Sequence, residues 1–138
     1  MKIMAIDYGD AHTGIAVSDP TGLLAGFTTV VTAYRPEAVA QRVAELAREH
    51  GAEELVLGHP VNMDGTLGPR SEKAKAMKVL LEEATALPVV LWDERRTTID
   101  AHNILFNSGK NAKQRKKVVD AVAASLILEG YLTFKKSH

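Results

Sequence analysis

The hydrophobic period of this chain changes once, near residue 35, and that change limits the fold more than any other feature. Ile3-Met4-Ala5-Ile6 is a short apolar run ending in an acid, so Lys2–Asp7 reads as a buried strand. Tyr8-Gly9-Asp10 is turn chemistry, and Thr13–Ser18 reads as a second strand. Asp19-Pro20-Thr21-Gly22 is a second turn, and Leu24–Thr32, rich in β-branched residues, a third strand. Three consecutive strands joined by tight turns imply an antiparallel meander.

From Pro36 to His50 the apolar residues Val39, Val43, Leu46 and Ala47 recur at helical spacing, and Gly51 closes the helix. Glu54–Gly58 reads as a fourth strand. Pro69 to about Ala86 reads as a helix with Met77, Leu80, Leu81 and Ala84 on its apolar face, and Pro88–Trp92 as a fifth strand. A short helix is expected over Thr98–Phe106, and a last one from Asn111 or Ala112 to about Phe134. A meander followed by βα units implies an α/β fold, with a mixed sheet flanked by helices on both faces. With 138 residues and no linker-like composition or repeat, residues 1–138 are expected to form one domain.

Composition narrows the setting. There is no cysteine, which excludes a disulfide framework, a thiolate nucleophile and a Cys-ligated zinc site. No apolar run approaches membrane-spanning length, and the four apolar residues before Asp7 are too few for a signal-peptide core. A cytoplasmic location without a membrane partner is the expectation. The formal charge is zero, from 17 basic and 17 acidic residues. That total hides an asymmetry: residues 1–60 carry four basic groups against eight acids, and residues 61–138 carry 13 against nine. The densest basic stretch is Lys110, Lys113, Arg115, Lys116 and Lys117, with no acid between Asp100 and Asp120. It suits a solvated helix face or a phosphate backbone.

Acids stand at two strand ends. Asp7 follows the first apolar run, and Asp93-Glu94 follows Val89-Val90-Leu91-Trp92. Ligand sites in open α/β sheets lie at the carboxyl ends of parallel strands. If strands one and five run parallel on either side of strand four, Asp7 and Glu94 share one crevice. Asp120 is the only charge between Val118 and Leu128, in a helix that should be largely buried. A carboxylate there needs a partner, either Lys116 or Lys117 one turn earlier or a metal ion. Three converging carboxylates without His or Cys describe a hard-cation site, for Mg²⁺ with Mn²⁺ as the alternative, and the associated chemistry is phosphoryl transfer or phosphodiester hydrolysis. The segment from His59 to Gly68 is long for a strand-to-helix connection, and Arg70 follows it in the first turn of the helix. Arg70, Arg95, Lys113, Arg115, Lys116 and Lys117 are the candidate nucleic-acid contacts. The five histidines show no ligand spacing, although His12 and His59 could approach the site. Trp92 and Tyr131 read as core.

Four segments resemble the YqgF family of ribonuclease-H-like Holliday-junction resolvases associated with pre-16S rRNA processing. They are Asp7-Tyr-Gly-Asp-Ala-His-Thr-Gly-Ile-Ala-Val-Ser-Asp19, the Gly58–Arg70 loop, Asp93-Glu94-Arg95-Arg96-Thr97-Thr98, and Lys116-Lys117-Val-Val-Asp120. Their order is the family's, and the likeness runs from about Lys2 to Leu132. It implies a ribonuclease-H-like fold with a five-stranded mixed sheet and an acidic site similar to Asp7, Glu94 and Asp120. His59 and Arg96 depart from it, standing where the family usually has apolar residues. The implied activity is Mg²⁺-dependent nucleic-acid cleavage, with RNA favoured and structured DNA as the alternative, by a monomer or homodimer. A non-catalytic RNA-binding role in ribosome assembly is a second reading. A sugar-kinase- or actin-like ATPase is disfavoured, because those proteins clamp nucleotide between two such domains.

Overall fold

The computed structural model describes residues 1–19, 25–60, 68–93 and 112–137, with the side chains of residues 25, 112–120, 136 and 137 outside that description. The strands are β1 (Ile3–Asp7), β2 (His12–Ser18), β3 (Ala25–Thr32), β4 (Glu54–His59) and β5 (Val89–Asp93). The helices are α1 (Pro36–His50), α2 (Pro69–Thr85) and α3 (Ala112–Ser137). They form one five-stranded sheet in the order β3-β2-β1-β4-β5. The meander β1-β2-β3 is antiparallel, whereas β4 and β5 run parallel to β1. This is the mixed sheet expected from the sequence. The helix expected over Thr98–Phe106 and the Asp19–Gly22 turn beyond Asp19 lie outside the described residues.

β1 is central because its first four residues are apolar and all are buried. A strand covered on both faces needs a continuous apolar run. Its alternate residues serve two cores. Met4 and Ile6 join Ile15, Val17, Leu55, Leu57 and Val89 beneath α1 and α2. Ile3 and Ala5 join Ala16 and Val56 beneath α3. The small residues at Ala5, Ala16 and Ala124 let α3 lie close to the sheet.

α1 begins with Pro36, carries Glu37 in its first turn and Arg48 and His50 in its last. Those charges complement the helix dipole. It ends at Gly51, whose φ of 68° lets its N–H reach the carbonyls of Ala47 and Arg48. Val39, Val43, Leu46 and Ala47 are all buried, as their spacing implied. The apolar face expected for α2 needs one correction. Ser71, Ala74, Met77 and Leu81 are buried, but Ala84 is exposed. Ala84 and the half-buried Leu80 line an open groove between α1 and α2, so the stripe that meets the sheet is shifted toward Ser71. α3 presents Ala123, Ala124, Ile127, Leu128, Tyr131 and Leu132 to the opposite face. It continues to Ser137, one turn beyond the expected end, where Lys135 reaches Glu54 at 3.2 Å. No helix among the described residues is long and apolar enough to cross a membrane.

Candidate active site

β1, β4 and β5 all point their carboxyl ends to one edge of the sheet. Asp7 ends β1, and strand alternation puts it on the α3 side, with Ile3 and Ala5. Its partner across β2 is Gly14. On the other flank, Gly58 follows Leu57, the partner of Ile6, and so stands level with Asp7. Cross-strand neighbours on one face normally bring their Cβ atoms within about 5 Å. Here both neighbours have none. The row across the α3 side is therefore Val30, Gly14, Asp7, Gly58 and Trp92. Asp7 is thus the central position of this row, between two buried glycines.

This arrangement could have been found in the sequence by counting registers, but only once the strand pairing was known. From sequence Gly14 flanks the first turn, where a backbone could approach a phosphate, and Gly58 ends the fourth expected strand; their shared row with Asp7 follows only from the register. A carboxylate oxygen donor suits a hard cation better than a thiolate-preferring metal.

Asp93 and Glu94 are adjacent in sequence, but Asp93 has the parity of Val89 and Leu91, on the α1 and α2 side. Its register partner there is His59. Glu94 and Arg95 lie outside the described residues. Asp120 falls within α3, one turn before Ala124 and two before Ile127, in line with the stripe that faces the sheet. Its side chain and those of Lys113, Arg115, Lys116 and Lys117 lie outside the described residues. Among the described residues, no three His, Cys, Asp or Glu side chains form a metal cluster.

The other candidates divide between the two faces. His12 shares the parity of Gly14 and its Nδ1 lies 3.3 Å from Thr32 Oγ1. His59 faces the other way and is hydrogen-bonded to Ser71. Arg70 is exposed in the first turn of α2 and borders a small cleft with Tyr8, Asp10, Pro60 and Lys73. Lys73 Nζ pairs with Asp10 Oδ1 at 3.1 Å, a link from α2 to the β1–β2 turn that the sequence did not suggest. Burial raises the Tyr8 phenol above its ordinary range and the Asp10 charge adds to this, while Lys73 opposes it. Tyr8 therefore stays a protonated donor at neutral pH. Trp92 and Tyr131 are core, as expected, meeting edge-on at 5.7 Å. Gly130 lies against the Trp92 ring, where an added Cβ would make an ordinary contact at 3.4 Å.

Residues 1–134 match the family model described as "RuvX: Holliday junction resolvase". The chain belongs to the RuvX family. This is the YqgF family that its motifs resemble. A Halothermothrix orenii protein named "Putative pre-16S rRNA nuclease" is 41% identical over 135 residues, covering 98% of this chain and 96% of that one. One of the same name from Pelotomaculum thermopropionicum is 43% identical over 133 residues, covering 96% and 86%. Among solved structures, Thermus thermophilus RuvC in complex with a Holliday junction superposes with a TM-score of 0.63. It shares 15% identity and covers 99% of this chain and 96% of that one. At that identity the likeness concerns the fold, and it gives this RuvX chain the ribonuclease-H-like architecture its motifs imply.

Proposed function

We propose that this RuvX-family chain is a metal-dependent nuclease that hydrolyses phosphodiester bonds at the 5′ end of precursor 16S rRNA in the cytoplasm. The observation that carries the reading is the Asp7 carboxylate at the end of the central strand, at the sheet edge that the carboxyl ends of β4 and β5 share. The names of its relatives support the substrate.

In this reading Asp7, Glu94 and Asp120 hold Mg²⁺, or Mn²⁺ in its place. Glu94 directly follows β5 in the sequence, and β5 points its carboxyl end to the same sheet edge as β1. The helical line from Ile127 through Ala124 supports Asp120. The bound ion would supply Lewis acidity toward the phosphate and lower the pKa of water to generate the nucleophile. The protein's own part is to orient the substrate. Arg70, Arg95, Lys113, Arg115, Lys116 and Lys117 would hold the phosphates flanking the scissile bond. Asp7 keeps its place because β1 is paired on both sides, to β2 and to β4.

A cleavage assay with Mg²⁺ tests this on a precursor rRNA 5′ end, a single-stranded RNA and a four-way DNA junction. We expect Asp7→Asn to abolish cleavage of the precursor while leaving the circular dichroism and melting profile intact. Full Mg²⁺-dependent activity in Asp7→Asn would sink the assignment. The family description favours a second reading, junction resolution, which needs two symmetric cuts and hence a dimer. Preferential cleavage of the junction by a dimeric species would select it. Salt-sensitive RNA binding with normal function in a triple acid-to-amide variant would instead select the non-catalytic role.

A further inference from the structure

The first turn of α2 has no side-chain cap. Its N-cap is Gly68, in an extended conformation, and Pro69 offers no N–H. Such a helix start depends on tertiary contacts for its position. Among the described residues, two side-chain polar contacts from other elements hold it. Lys73 pairs with Asp10, but both side chains are more than half exposed, and such pairs contribute little. The other contact is His59 Nε2 to Ser71 Oγ at 2.6 Å. Ser71 is fully buried and heads the stripe Ser71, Ala74, Met77 and Leu81. His59 is the last residue of β4, next after Gly58. The bond thus joins the strand end beside Asp7 to the helical turn that carries Arg70. It closes the base of the intervening segment, whose two ends are Pro60 and Gly68.

We propose that His59 is a positioning residue. Through Ser71 it fixes the first turn of α2, and so Arg70, relative to the Asp7 edge of the sheet. It acts on binding of the substrate backbone and leaves the chemical step alone. An apolar side chain at 59 could fill the same space but could not bond Ser71 Oγ, which would then be buried without this partner. The inference rests on the nuclease reading for its effect on substrate, and on the structure alone for the fastening.

The test uses the full chain with His59→Ala, His59→Gln, Ser71→Ala and Arg70→Ala, singly and with His59→Ala combined with Arg70→Ala. Hydrogen exchange of the amides at 70–74 in the free protein reads the fastening without any reference to activity. His59→Ala and Ser71→Ala should lose protection there by about tenfold, and His59→Gln, which keeps a hydrogen-bonding amide, should restore most of it. On precursor rRNA, His59→Ala should raise KM about 3- to 10-fold with kcat within about twofold. Once Arg70 is removed, the same change should add nothing to KM. Unchanged exchange in both His59→Ala and Ser71→Ala would overturn the proposal. So would a KM effect of equal size with and without Arg70. If wild-type protein shows no Asp7-dependent cleavage, the nuclease reading has failed. The same cycle is then read as dissociation constants for the RNA, where additivity still refutes the positioning role and coupling supports it.

Discussion

Gly9 shows how tightly the turn after Asp7 is built. A Cβ at residue 9 would lie 2.3 Å from the carbonyl oxygen of His12, and backbone cannot swing aside as a flexible side chain can. Gly9→Ala must therefore push the β1–β2 turn open, at a cost of about 1–3 kcal/mol. The expected result is a lower urea midpoint with an unchanged slope, together with a loss of activity larger than that stability change explains, because Asp7 is two residues away. Activity loss in proportion to the unfolded fraction alone would refute the second part. The candidate residues themselves were legible in the sequence to different degrees. Asp7 stood out because an acid directly follows four apolar residues. The glycines beside it were legible only as turn and strand-end positions, since their place level with Asp7 depends on register across β2 and β4, which no local pattern states. The His59–Ser71 bond spans 12 residues and joins two elements whose relative placement is a tertiary fact.

Among the described elements, the strands and helices followed from period, turn chemistry and proline or glycine placement, and their bounds differ from expectation by a few residues at most. The exposed Ala84 is instructive. Helical spacing defines a stripe, but which of two adjacent stripes meets the sheet depends on where the neighbouring helix sits, and α1 lies across an open groove from Leu80 and Ala84. The end of α2 is a different matter. Ala86 closes it in the left-handed region at φ 58°, donating its N–H to the Glu82 carbonyl at 2.9 Å. An L-residue with a Cβ pays roughly 1–2 kcal/mol for that conformation, whereas glycine adopts it freely. Ala86 is exposed, so removing its methyl group loses little packing. Ala86→Gly should raise stability by about 0.5–1 kcal/mol, after the greater flexibility of glycine in the unfolded chain is set against the relief. Equilibrium denaturation checks this, and a destabilised variant would show that the cap is unstrained.

At the scale of the whole molecule, α3 is held to the sheet by a polar knot as well as by its apolar stripe. Tyr131 donates its hydroxyl proton to Glu54, and Lys135 reaches the same carboxylate. Burial first, then this hydrogen bond and then the Glu54 charge hold the Tyr131 phenol well above its ordinary range. A group whose pKa is raised on folding contributes stability that is complete below its unfolded value, about 10, and is lost as pH climbs through and beyond it. Stability should therefore decline above about pH 10, where the unfolded tyrosine ionises first. Tyr131→Phe should be less stable at neutral pH yet show a shallower alkaline decline between about pH 10 and pH 12. Parallel curves for the two proteins would show that Tyr131 does not govern the transition.

The strand order has a consequence in time. β1 is the first strand in the chain and sits in the middle of the sheet, with one neighbour that follows at once and another that arrives only after α1. Its α3-side face, with Ile3, Ala5, Ala16 and Val56, lacks the cover of α3 until that helix has been made. During synthesis, then, all five strands leave the ribosome before the helix that packs against this side. A product cut short before α3 would expose an apolar sheet face and be prone to aggregation and proteolysis.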